Sequence, residues 1–125
     1  MEEHLFTAAE ADALLDQLRP LCQRAQQLAE QLRGRDAAQA LAAVRGGNGG
    51  GQHATAVVDA AGEFRRTAEQ ITELGVVFRD PTTGLLDFPA ERAGRHIFLC
   101  WRLGEERVAW WHDRDAGFAG RQRLE

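Results

Sequence analysis

A chain of 125 residues, 44% apolar and 27% charged, is long enough for one hydrophobic core and too short for two. Its net charge of −4 argues against sequence-independent binding to a phosphate backbone, and its basic residues run from Arg19 to Arg123 without forming a block. Ser, Lys and Tyr are absent, which removes serine triads, Schiff-base lysines and phosphate-loop lysines, and leaves Asp, Glu, His, Cys, Thr or a metal for any catalysis.

The acidic start Met1-Glu2-Glu3-His4 leads into no apolar stretch of the signal type, and no run approaches the roughly 18 apolar residues of a membrane span. Cys22 and Cys100 are too few for a disulfide scaffold and fit a reducing compartment. A cytoplasmic protein without membrane or nucleic-acid partners is the expectation.

Thr7-Ala8-Ala9-Glu10 has the form of a capping box, with Thr7 as N-cap and Glu10 reaching back. Apolar positions Ala11, Leu14, Leu18, Leu21, Ala25, Leu28 and Leu32 follow at alternating spacings of three and four, which predicts a helical seam. Pro20 predicts a kink or the start of a second helix, and Gly34 a stop. Asp36 can cap a short alanine-rich helix over 37–44. The glycine run 46–51, with Asn48 inside it, has no strand before it and no lysine after it, so it reads as a flexible turn and not a phosphate loop. A further helix is predicted over 54–74 on Val57, Ala60, Phe64, Thr67, Ile71 and Leu74, with Gly75 ending it. The long helices read as an antiparallel hairpin.

From residue 76 the period changes to two, and strands are predicted over 76–79, 85–89, 95–103 and 107–112. Asp80-Pro81-Thr82-Thr83-Gly84 is a turn, and Gly104-Glu105 suits a two-residue hairpin. That hairpin pairs Ile97 with His112, Leu99 with Trp110 and Trp101 with Val108 on a face that packs on the helices. Its other face carries Phe98 beside Trp111, Cys100 beside Ala109, Arg102 beside Arg107 and His96 beside Asp113. The expected architecture is therefore α+β in a single domain: helices over 1–75, then a meander of three to four antiparallel strands over 76–125. The tail folds back onto the sheet.

Gly84-Leu85-Leu86-Asp87-Phe88-Pro89, Leu99-Cys100-Trp101, Gly104-Glu105, Trp111-His112 and Gly117-Phe118-Ala119-Gly120-Arg121 resemble the bacterial domain-of-unknown-function 2203 family. Phe6-Thr7-Ala8-Ala9-Glu10-Ala11 and Asn48-Gly49-Gly50-Gly51 match it too, so the likeness covers nearly the whole chain. The resemblance implies a small bacterial protein of this architecture and transfers no catalytic residue.

The second sheet face holds the candidate site. Strand parity puts Asp87 on it, where it is expected to neutralise the facing Arg102 and Arg107. One reading is a pocket for a small anionic or planar ligand, contacted by Asp87, Arg102, Trp111, His112 and Arg121. The other is a salt bridge covered by the tail or by a second subunit. Arg121 serves as an anion hook or as a cap on a carboxylate. His112 and Glu105 have the right donors to join Asp87 around a metal, but the assumed register keeps them apart, so no metal or other cofactor is expected. His96 with Asp113 reads as an ion pair, and Cys22 and Cys100 as buried, inert thiols.

Helices of about 25 residues are near 38 Å long while a six-residue strand spans about 20 Å. Parts of Leu21, Leu28, Leu32 and Val57 would face water unless a second protomer covered them, so a homodimer through the helices is expected. The leading function is a non-catalytic small-ligand-binding or protein-interaction module. The alternative is a small enzyme using carboxylate and histidine groups, with or without a metal, on the second face.

Overall fold

The computed structural model describes residues 3–33 and 52–124. The Gly34 stop, the Asp36-capped helix and the glycine-rich turn lie outside these residues. Helix α1 (Ala8–Arg33) opens with the capping box formed: the Thr7 N–H donates to Glu10 Oε1 at 2.8 Å, and the Glu10 N–H to Thr7 Oγ1 at 3.1 Å. Pro20 lies inside this one helix, so no second helix begins there. The buried stripe is Ala11, Leu15, Leu18, Cys22, Ala25, Leu28 and Ala29, while Leu14 and Leu21 are only partly buried at its edge. The seam is thus turned by one position in its first half, because Leu14-Leu15 and Leu21-Cys22 are both apolar pairs.

Helix α2 (Gln52–Glu73) packs on α1 and buries Ala60, Thr67 and Ile71. Arg24 meets Glu63 at 2.6 Å, and Gln17 and Leu21 share a groove with Gln70 and Leu74, so the two helices run in opposite directions. Gly75, at φ 91°, ends the helical part. Leu28 is only 1% exposed within the chain itself, and Leu21 and Leu32 are half-buried. The length mismatch between helix and sheet is thus partly met without a second copy. Among the described residues, no helix is long and apolar enough to cross a membrane.

The sheet has five strands, one more than the period-two runs predict. They are β1 (Val77–Asp80), β2 (Leu85–Arg92), β3 (Arg95–Arg102), β4 (Trp110–Asp113) and β5 (Gln122–Arg123). They lie side by side in chain order, each antiparallel to its neighbour. The tail does fold back, and its β5 pairs Arg123 with Trp110. Strand β2 runs past Pro89 to Arg92. Pro89 is tolerated because β1 pairs only with residues 85–87, so beside Pro89 the strand is an edge, and its carbonyl accepts the Phe6 N–H at 2.7 Å. Leu86, Phe88, Ala90, Ile97, Leu99, Trp101 and Trp111 form one core cluster with Phe6, Leu15, Leu18, Cys22 and Ile71 of the helical part.

The β3–β4 register differs from expectation by one residue. The turn from Arg102 to Glu105 is centred on Leu103-Gly104, with the Glu105 N–H donating to the Arg102 carbonyl at 2.9 Å. Residues 105–109 then form a loop: the Val108 N–H is taken by Asp12 Oδ1 at 2.7 Å and the Glu105 carbonyl by Trp101 Nε1 at 3.0 Å. The strands pair as Phe98 with His112, Leu99 with Trp111 and Cys100 with Trp110. A one-residue slip exchanges the two faces of a strand. Trp111 therefore joins the core, and His112 and Trp110 lie on the second face.

The β2–β3 turn is the two residues Ala93 and Gly94, at φ 52° and 78°. This is the left-handed geometry of a type I′ hairpin, for which Asn-Gly is the preferred sequence and alanine is strained. Ala93→Asn is expected to raise stability by about 0.5–1 kcal/mol, read as a higher urea midpoint at unchanged slope.

Candidate functional site

The Ala93-Gly94 turn sets the β2–β3 register, which places Cys100 directly opposite Asp87. The β3–β4 register then brings His112 beside them from the third strand. Exposure is 3% for Asp87, 0% for Cys100 and 2% for His112. Their donor atoms all lie within 4.8 Å of one another. Three strands thus contribute one polar group each to a point that water scarcely reaches.

Asp87 is held from two sides. Arg79 Nε donates to Oδ2 at 2.9 Å, and His112 Nε2 lies 3.0 Å from Oδ1. Arg79 is the extra residue of a β-bulge between Phe78 and Asp80, a device that redirects a side chain at a strand edge. The other imidazole nitrogen, Nδ1, is 2.7 Å from the Asp113 carbonyl oxygen. A carbonyl only accepts, so Nδ1 carries a proton, and the contact with Asp87 needs a second one shared between imidazole and carboxylate. Burial, then the charge of Asp87, pushes the Cys100 thiol up to about 12 from 9.0. Burial alone does the same to Cys22. Neither thiol is a nucleophile near neutral pH.

A layer of arginines covers this centre. Arg114 stacks on Phe98 at 4.2 Å and Arg79 on the same ring at 5.0 Å. Arg121 lies 4.5 Å from Trp110 and 4.3 Å from Phe118, and reaches Cys100 Sγ at 3.9 Å. It binds Glu105 through two contacts, 3.1 and 2.9 Å long, so of its two expected roles the structure has the cap on a carboxylate.

The expected site is rearranged accordingly. Asp87 is on the predicted face, but Arg79 and His112 are its partners, not Arg102 and Arg107. Those two arginines never face each other, because Arg102 pairs across to Leu85 and Arg107 sits in the loop. Arg102 is exposed, 5.3 Å from the Phe118 ring, beside a cavity of about 190 Å³ also lined by Asp80, Thr83 and Leu85. Trp111 is on the core face under Arg92. His112 has moved to Asp87, while Glu105 is occupied by Arg121. Asp113 pairs with Arg95 at 3.0 Å and not with His96, which lies across from Glu91. Arg79 and Cys100 were not among the expected site residues. The signal for Cys100 was Ala93-Gly94, since any two-residue turn there sets Cys100 against Asp87.

Asp87 is buried and Arg79 is its only guanidinium partner among the described residues, although the Arg79 side chain is 43% exposed. Arg79→Ala is expected to cost about 1–2 kcal/mol in urea unfolding, less than breaking a fully buried pair, and Arg102→Ala less than about 0.5 kcal/mol.

No curated protein and no solved structure matches the chain. The model of one family, described as "Uncharacterized conserved protein (DUF2203)", matches residues 4–124. With nearly its whole length inside that match, from the N-terminal segment through β5, the chain belongs to the DUF2203 family.

Proposed function

We propose that this protein is a non-catalytic binding module whose ligand site is the polar centre formed by Asp87, Cys100 and His112. The observation that carries the reading is the convergence of a carboxylate, a thiol and an imidazole from three adjacent strands at 0–3% exposure. Burying an ion pair costs several kcal/mol of desolvation, and apolar replacements of such pairs are often as stable or more so. Net stability alone therefore does not account for burying the cluster, which supports a binding role for it.

Two features favour binding over turnover. The Cys100 thiol is held protonated, and the three donor residues are only 0–3% exposed, with Arg79 on Asp87 and Arg121 on Cys100. A small ligand is therefore the fitting occupant.

Thermal unfolding of the full chain against divalent cations, phosphate and short carboxylates tests the reading. At least one is expected to raise the Tm through binding to the native state. That rise should vanish in Cys100→Ala, a change that keeps Arg79, Asp87 and His112 in place. A panel with no effect, or a rise that persists in both Cys100→Ala and Asp87→Asn, contradicts it.

A further inference from the structure

We infer that Asp87 Oδ1, Cys100 Sγ and His112 Nε2 form a three-ligand site for a transition-metal dication of the zinc type. The inference rests on the binding reading above and names the ligand class.

Each ligand residue already has a further partner besides the other two. The Asp113 carbonyl holds the Nδ1 proton of His112 and so turns Nε2 toward Asp87. Arg79 holds Oδ2 of Asp87 and leaves Oδ1 facing inward. Arg121 Nη1 lies 3.9 Å from the Cys100 sulfur and favours its thiolate. Outer partners of this kind are what fix the tautomer and direction of metal ligands. All three ligands come from paired strands and not from loops, so their spacing is set by backbone hydrogen bonds.

The distances suit a metal after small side-chain movements. Bonds of about 2.0–2.3 Å in a tetrahedron separate donors by roughly 3.3–3.8 Å. Oδ1 and Nε2, now 3.0 Å apart, would open slightly, and the sulfur, inside the 4.8 Å limit, would move inward. The mixed O, N and S set selects the metal class. Zinc, cobalt and iron accept imidazole and thiolate, whereas magnesium and calcium require oxygen shells that one carboxylate cannot supply.

The exchange balances in charge. Without metal, the centre holds one carboxylate, one proton shared with the imidazole, and a neutral thiol. A dication displaces the shared proton and the thiol proton to solvent, leaving carboxylate, neutral imidazole, thiolate and metal. Net charge is the same before and after, so the buried site gains no uncompensated charge, and the coordinating thiol ionises despite its burial.

The test is equilibrium dialysis of the full chain, stripped with chelator, against Zn2+, with Co2+ as the spectroscopic probe. One Zn2+ per chain is expected, together with a thiolate-to-cobalt charge-transfer band and no competition from a hundredfold excess of Mg2+ or Ca2+. Cys100→Ala should abolish the band and weaken Zn2+ binding at least tenfold, as should His112→Gln, while Cys22→Ala should leave both intact. Folding of each variant is checked by its far-ultraviolet circular dichroism, and Cys100→Ala is the variant that leaves the Asp87 ion pair whole. Absence of stoichiometric Zn2+, or a cobalt complex lacking the thiolate band, overturns the inference. If phosphate or acetate then still raises the Tm in a way that Cys100→Ala removes, the binding reading survives without the metal. If no ligand does so, both fail.

Discussion

Asp87 is the point on which the second half of the chain turns. Its two carboxylate oxygens are met by Arg79 from β1 and His112 from β4, with Cys100 facing it from β3. Four strands are therefore tied to one buried side chain. Three other ion pairs, Arg24–Glu63, Arg95–Asp113 and Arg114–Glu3, are of a different kind, partly exposed on both sides. Pairs like these contribute about 0–1 kcal/mol each. A pair with both partners at 2–4% exposure is costly to form and more costly to break on one side, so the register of all four strands is constrained to keep it.

The absence of lysine has a structural use on this face, whatever its origin. Arg79, Arg114 and Arg121 each place a guanidinium over an aromatic ring while hydrogen-bonding to a carboxylate or carbonyl. An ammonium group cannot stack in this way while directing donors along two edges. These side chains cover an apolar floor of Phe98, Cys100 and Trp110 that would otherwise face water. A sheet in a chain of this length thus has both faces covered, one by helices and one by arginines and the short 3-10 turn Phe118–Gly120.

Much of the fold was legible in the sequence because its signals are local. The capping box, the three-and-four spacing and the change to period two depend only on neighbouring residues, and they place two long helices before an antiparallel sheet. What failed was phase. Trp110-Trp111 puts a large aromatic inward whichever way β4 is read, so alternation alone cannot decide its face. The deciding contacts are non-local: Asp12 on the Val108 N–H and Trp101 on the Glu105 carbonyl stretch a two-residue turn into a longer loop. The same slip carried Trp111 out of the expected site and His112 into it. Asp87 was placed correctly because its flanking Leu86 and Phe88 leave no such ambiguity. Its partner Arg79 was missed because a bulge has no sequence signature in Phe78-Arg79-Asp80.

This register seats His112 between the Asp113 carbonyl and Asp87. Nitrogen-15 NMR of the imidazole rings near neutral pH, with His112 assigned by its loss in His112→Gln, tests it most directly. The expected result is a proton on His112 Nδ1 that exchanges slowly with solvent, as a buried donor to a carbonyl must. A bare Nδ1, with the proton on Nε2 alone, would contradict it, because two lone pairs would then face each other across 2.7 Å.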